Sequence, residues 1–208
     1  MDRERFLKHS VSIYVLIFLI LCQSFIQRAG AEPMKPSFEK ATFAGGCFWG
    51  MEKLFSETDG VVSTRVGYTG GHVKNPDYEA VCTGTTGHAE AIEITYDPSK
   101  LSFEKLLETF FSYHDPTTLN RQENDIGTQY RSAIFYHDAA QEKLAKKTIE
   151  LLTQAKVFKN KIVTEVKPAG DFYAAEDYHQ KYLQKNPHGY CSIHFQSRKI
   201  SEVLQQLG

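Results

Sequence analysis

The chain has 208 residues and carries 24 Lys and Arg against 25 Asp and Glu, a net charge of −1. That balance excludes the basic surface expected of a nucleic-acid binder and offers nothing to an anionic membrane face. With 41% apolar residues there is enough material for one domain with a sizeable core, and no repeat, heptad or low-complexity segment interrupts it.

At the N-terminus, Arg3, Arg5 and Lys8 precede an apolar run over residues 11–26, and Ala29-Gly30-Ala31 has the small residues of a processing site. This pattern predicts a secretory signal peptide over residues 1–31, with cleavage expected after Ala31. The alternative is an uncleaved membrane anchor. The rest, 32–208, is expected to be a single domain, exported to the periplasm or the extracytoplasmic cell envelope. Cys22 follows a bulky leucine and falls in the discarded segment. Cys47, Cys82 and Cys191 remain, an odd number that leaves at least one thiol outside an intramolecular disulfide. No CxxC is present, so a structural zinc site is not expected. A purely structural Cys47–Cys191 staple stays open at this point.

Beyond the leader, a β-type run predicts a strand over 40–44. A helix over 48–57 places Phe48, Met51, Leu54 and Phe55 on one stripe. Strands are expected over 61–68 and 89–96, the second stopped by Asp97-Pro98. Ser102 can cap a helix whose inner face is Phe103, Leu106, Leu107, Phe110 and Phe111. A polar loop over 115–128 leads to a strand over 130–136, a helix over 139–155, a strand over 162–168 and a helix over 174–184. A Pro/Gly loop over 186–191 precedes a short last helix over 201–207. The order β-α-β-β-α-β-α-β-α predicts an α+β fold. It is expected to be a two-layer sandwich of helices on a mixed sheet, with a ferredoxin-like core and a long C-terminal coil.

Gly45-Gly46-Cys47-Phe48-Trp49-Gly50 contains the only tryptophan in the chain. It joins the first strand to the first helix, so Cys47 is expected in the first turn. Unpaired N–H groups and the helix dipole there favour a thiolate and lower the thiol's pKa. Phe48 and Trp49 add an apolar box. In Gly87-His88-Ala89-Glu90-Ala91-Ile92-Glu93-Ile94, strand alternation sets Glu90 on the face of Ile92 and Ile94. A carboxyl on an apolar face loses its hydration, which raises its pKa and suits a general acid. Tyr78 and Tyr130 border the polar loops and can donate hydrogen bonds to a developing oxyanion. Asp125 can orient water or substrate, or simply form a turn. Cys191, in its Pro/Gly loop, can condense with a sulfenic acid on Cys47. Cys82 reads as a small, half-buried residue. Two other classes are open from the residues alone. One is a hydrolase dyad of Cys47 with His88 or His179. The other is a non-catalytic module that binds methionine-like ligands.

The hexapeptide resembles the signature of the peptide-methionine (S)-S-oxide reductases. Similar stretches are Arg65-Val66-Gly67-Tyr68-Thr69-Gly70-Gly71, Thr86-Gly87-His88-Ala89-Glu90-Ala91 and His114-Asp115-Pro116-Thr117-Thr118. Asn120-Arg121-Gln122, Gly127-Thr128-Gln129-Tyr130-Arg131-Ser132 and Asn186-Pro187-His188-Gly189-Tyr190-Cys191 complete the set. The resemblance runs from about Lys40 to Cys191. It implies that Cys47 attacks the sulfoxide sulfur and that Phe48 and Trp49 hold the methyl group. It further implies that Glu90 protonates the oxygen, that Tyr78 and Tyr130 hydrogen-bond to it, and that Asp125 positions substrate or water. The sulfenic acid would be resolved by Cys191 and the disulfide reduced by a thioredoxin-like protein. The implied substrate is methionine sulfoxide in oxidised proteins or free, and the implied role is repair under oxidative stress. The enzyme would act as a monomer, with no metal or organic cofactor and no nucleic acid. No cysteine follows Cys191 in Ser192-Ile193-His194-Phe195, so a single recycling disulfide is expected rather than a two-disulfide relay.

Overall fold

In this computed structural model the described residues are 37–190 and 200–204. The leader and Cys191, with the coil predicted around it, lie outside them. The chain opens with β1 (Glu39–Gly45), α1 (Phe48–Ser56), β2 (Val61–Thr69) and a short α2 (Tyr78–Cys82). It continues with β3 (Ala89–Tyr96), α3 (Phe103–Tyr113), a two-residue hairpin of β4 (Arg121–Gln122) and β5 (Asp125–Ile126), and a 3-10 turn (Thr128–Tyr130). Then come β6 (Ser132–Tyr136), α4 (Ala139–Gln154), β7 (Glu165–Pro168), β8 (Phe172–Ala174), α5 (Tyr182–Lys185) and α6 (Ile200–Leu204).

The fold is α+β, a mixed sheet with helices. Six strands form the main sheet in the order β7-β6-β1-β3-β2-β8. Every neighbouring pair is antiparallel except β6 with β7. Alternation along the strands decides which side chains enter the main core. Phe43, Ile92, Ile94 and Ile134 point from the sheet into one cluster with Met51, Phe55, Leu106, Phe110 and Phe111 from α1 and α3. The opposite face carries the smaller Ala44, Ala89, Ala91 and Ala133 with Phe135. Ser102 caps α3 by accepting the Lys105 N–H, and Asp138 caps α4 through Gln141 N–H.

Three sequence expectations need correction. Residues 174–184 do not form one helix: β8 pairs with the edge of β2, turns follow, and only Tyr182–Lys185 is helical. The side chain of Gln180 explains much of this. It accepts the Val66 N–H and donates to the Val66 and Ala175 carbonyls, filling a strand's place against β2. Residues 162–164 are not strand, which starts at Glu165. Tyr130 sits in the 3-10 turn before β6 rather than in the strand.

The sheet register sets the site. β3 runs antiparallel to β1, with Phe43 opposite Ile92. The start of β3, bearing Glu90, therefore lies beside the end of β1, where the chain turns towards Cys47. On the other side of β3, Tyr68 of β2 is paired with Glu90.

Candidate active site

Gly45 and Gly46 make the turn from β1 into α1 possible. A Cβ on Gly45 would lie 3.1 Å from the Phe110 ring and 3.2 Å from His114, so glycine lets the strand close on α3. Gly46 has φ 92°, a left-handed conformation open to glycine at little cost. Cys47 is the N-cap residue, and its side chain makes no capping hydrogen bond. The helix's leading N–H groups are thus free to serve the site. Phe48 N–H donates to Glu90 Oε2 at 3.1 Å. The N–H groups of Trp49 and Gly50 face the Cys47 sulfur.

Glu90 is 2% exposed, and burial pushes its carboxyl up to about 8. The Phe48 N–H pulls it back and the charge of Asp125 adds to the rise. Near neutrality Glu90 is mostly a neutral acid, as strand alternation implied. The Cys47 thiol behaves differently from the sequence expectation. Its pKa is raised, first by burial and next by Glu90, against the smaller opposing pull of the Trp49 and Gly50 N–H groups. The helix start is in place, but desolvation and a neighbouring carboxylate outweigh it. Neither group readily ionises while the other is charged.

Tyr78 opens α2, where Asp77 caps the helix by accepting the Ala80 N–H. Tyr78 and Tyr130 are both half-buried. Burial is the first cause that pushes each phenol up, and the charge of Glu90 acts on both. Asp125, on β5, acts on Cys47, Glu90 and Tyr130, and accepts a hydrogen bond from the Tyr190 hydroxyl at 3.1 Å. Cys47, Glu90, Tyr78, Tyr130 and Asp125 therefore share one electrostatic environment. Cys82 is exposed rather than half-buried, and the Tyr78 hydroxyl donates to its sulfur.

The two aromatic residues after Cys47 differ in place. Phe48 is fully buried against Val66, Tyr68, Val81 and Ala175, so it belongs to the core behind the site. Trp49 is half-buried and offers the accessible wall. Its indole N–H donates to His179 Nδ1 at 3.0 Å, and its ring stacks on Tyr182 with centroids 3.8 Å apart. Tyr182 and Glu176 were invisible as site residues because their segment read as a plain helix, and His179 was weighed only as a partner for Cys47, not for Trp49. Arg131 was also missed. Its guanidinium donates to the carbonyls of Thr128 and Gly87, tying the loop of Tyr130 to the lead-in of Glu90's strand.

A hydrolase dyad does not fit this arrangement. His88 uses one ring nitrogen to accept the Gly71 N–H and the other to contact the Val73 carbonyl. His179 serves Trp49. The charges acting on the Cys47 thiol come from Glu90 and Asp125, with no histidine among them. Among the described residues no cluster of three or more His, Cys, Asp or Glu side chains could hold a metal ion.

The site is that of a thiol-based reductase: a buried thiol faces a neutral acid, with two phenols and an aromatic wall around them. A family model described as peptide methionine sulfoxide reductase matches residues 39–207. The peptide methionine sulfoxide reductase MsrA of Methanothermobacter thermautotrophicus is 57% identical over 156 residues, which span 75% of this chain and 92% of that protein. The structure of Mxr1 from Saccharomyces cerevisiae in reduced form is similar at TM-score 0.72 and 38% identity, covering 81% of this chain and 98% of that one. Mxr1 in complex with Trx2 is similar at TM-score 0.52 and 26% identity, covering 81% and 97%. The chain belongs to the peptide methionine sulfoxide reductase family.

The coupling of Cys47 to Glu90 has a direct readout. Glu90→Gln removes the charge that opposes the thiolate. Iodoacetamide labelling of Cys47 at pH 9, followed by site-resolved mass spectrometry to separate it from Cys82, is expected to speed up by roughly tenfold, about one pKa unit. Labelling at the wild-type rate or slower would show that the two groups do not share charge.

Proposed function

We propose that this peptide methionine sulfoxide reductase acts on the S epimer, with Cys47 as nucleophile and Glu90 as acid. The observation that carries this reading is the placement of a buried, neutral carboxyl and a thiol at the start of one helix, linked through the Phe48 N–H. Sulfoxide oxygen is a poor leaving group until it is protonated. An acid must therefore face the attacking sulfur.

The Cys47 sulfur bonds to the sulfoxide sulfur while Glu90 delivers a proton to the oxygen, and the thiol proton passes to Glu90 in its place. The phenols of Tyr78 and Tyr130 donate hydrogen bonds to that oxygen as it gains charge. Asp125 positions substrate or water. The hydroxyl then passes to the Cys47 sulfur as the new sulfur–sulfur bond and the methionine S–O bond break, so that Cys47 ends as a sulfenic acid, Cys47–S–OH, and methionine leaves as the thioether with the electron pair. Two electrons have passed from the cysteine to the sulfoxide. Cys191 then displaces water to form the Cys47–Cys191 disulfide, and a thioredoxin-like dithiol takes up the oxidation. The solved relative complexed with Trx2 supports that choice of reductant. Epimer choice follows from three fixed directions at a chiral sulfur. Trp49, backed by Phe48, holds the methyl group, the acid side holds the oxygen, and Cys47 sets the line of attack.

The substrate is methionine sulfoxide in oxidised protein or free, and the enzyme repairs oxidative damage as a monomer. Export to the cell envelope is supported by the basic start, the apolar run and Ala29-Gly30-Ala31. The inner strands read as a ferredoxin-like, two-layer core, supported by their order β6-β1-β3-β2.

The deciding experiment is reduction of separated sulfoxide epimers with dithiothreitol. The S epimer is expected to be consumed and the R epimer left, with Cys47→Ser inactive; turnover of the R epimer instead, or activity in the serine variant, would remove this reading. Cys191→Ser is expected to complete one turnover, leaving Cys47 as sulfenic acid, and then to lose thioredoxin-driven cycling. Cycling at the normal rate in that variant would remove the resolving role. Intact-mass measurement of the protein from its native host is expected to show a chain beginning at Glu32, whereas a full-length mass would support the anchor.

A further inference from the structure

Glu176 takes no part in the chemistry proposed above, yet its carboxylate reaches both halves of the pocket. Oε1 accepts the backbone N–H of Tyr78 at 2.9 Å. Oε2 accepts the Tyr68 hydroxyl at 2.9 Å and lies 3.8 Å from His179 Nε2. His179 is 1% exposed. Its Nδ1 accepts the Trp49 indole N–H, so the proton of the neutral ring sits on Nε2, the nitrogen facing Glu176. That N–H is buried with no hydrogen-bond partner within range, and the nearby carboxylate charge favours this tautomer over the other. Burial holds the imidazole below its usual pKa, against the opposing Glu176 charge, which keeps the ring neutral and Nδ1 free to accept.

The backbone around Glu176 is fixed independently. β8 anchors it on one side. On the other, Gln180 bonds both main-chain groups of Val66, and the N–H of Lys181 donates to the buried Glu52 of α1. Lys181 is held at φ 55°, a conformation that costs a non-glycine residue energy and is kept only because its surroundings demand it. Tyr182 then stacks on Trp49. The 176–182 segment is thus a rigid cradle for the indole.

We propose that Glu176 is a positioning residue that sets Trp49 through His179 and Tyr78 through its backbone N–H, holding the methyl side and the oxygen side of the pocket at one fixed separation. This rests on the assignment of Trp49 and Tyr78 given above. Glu176→Gln keeps size but replaces one acceptor oxygen with a donor. With the amide nitrogen towards Tyr68, a donor meets the His179 N–H; with the amide reversed, the Tyr78 N–H loses its acceptor.

Trp49 is the only tryptophan, so intrinsic fluorescence reports on this indole alone. Glu176→Gln is expected to shift the emission spectrum and raise KM for the sulfoxide by roughly tenfold, the effect of one charge-assisted hydrogen bond. The far-ultraviolet circular dichroism should match wild type. His179→Ala should produce the same emission shift, and the double variant no further shift, because both act through one relay. Additive shifts, or wild-type emission and KM in Glu176→Gln, would overturn the proposal. Glu176→Asp keeps the charge but is too short to serve Tyr78 and His179 together. If the glutamine variant does not fold, this one should show the same shift at smaller size, and a wild-type spectrum would overturn the relay. Trp49→Phe separates the two levels. An unchanged KM there, with an emission shift in Glu176→Gln, would leave the relay standing and remove the methyl-pocket assignment.

Discussion

Cys47 and Glu90 meet at the start of one helix, out of water, where neither ionises readily while the other is charged. Burial alone would keep both protonated. The Phe48, Trp49 and Gly50 N–H groups provide a limited compensating field, stronger than water's absence would otherwise leave but weaker than bulk solvation. The result is a pair that rests largely protonated, with Glu90 the first to ionise as the pH rises. In the proposed mechanism the substrate changes that. A bound sulfoxide gives the Glu90 proton somewhere to go and gives the Cys47 electrons an acceptor, so both movements occur together.

The rest of the fold serves that geometry. An antiparallel β1–β3 pair brings the end of one strand to the start of the other, which no single-strand motif can do. Glycines at 45 and 46 let α1 begin at once, so that its first N–H points at β3. Arg131 and Glu176 then hold the loops. The guanidinium gathers carbonyls from the segments leading to Tyr130 and Glu90, and the carboxylate gathers donors from Tyr68 and Tyr78. Loops that carry a precise constellation need such ties, since their own backbones lack ladder hydrogen bonds.

Local pattern made part of this legible. Alternation in β3 put Glu90 on the core face, and the Ser102 cap and apolar stripe marked the start and the buried face of α3. Tertiary contacts hid the rest. Residues 174–184 carry a helical pattern, but Gln180 supplies Val66 with the hydrogen bonds of a strand, Glu52 captures Lys181, and the helix shrinks to one turn. The sign of the Cys47 shift was missed for a similar reason. A helix N-terminus can be read from glycines and a following apolar stripe, whereas the depth at which the sulfur lies, and the carboxyl beside it, exist only once three strands and a helix have packed. Cys82 erred the other way, because a cysteine's usual preference for burial says nothing about an exposed turn next to Tyr78.

In the proposed role of repair under oxidative stress, a thiol held back in this way has a chemical use. Cysteine reacts with peroxides and electrophiles as the thiolate, and an acidic, exposed cysteine would be spent on them. Burial and Glu90 keep the resting sulfur protonated, so its reactivity is low until a ligand enters. On the proposed assignment, a methionine sulfoxide differs from peroxide in carrying, beside an oxygen that can draw a proton from Glu90, a methyl group for Trp49. On that assignment only a molecule with both features engages the wall and the acid at once, and the unfavourable resting state of Cys47 becomes part of the proposed selectivity. The helix N-terminus is then best understood as support for charge that appears during attack, since donors fixed in advance need no rearrangement when the sulfur begins to ionise.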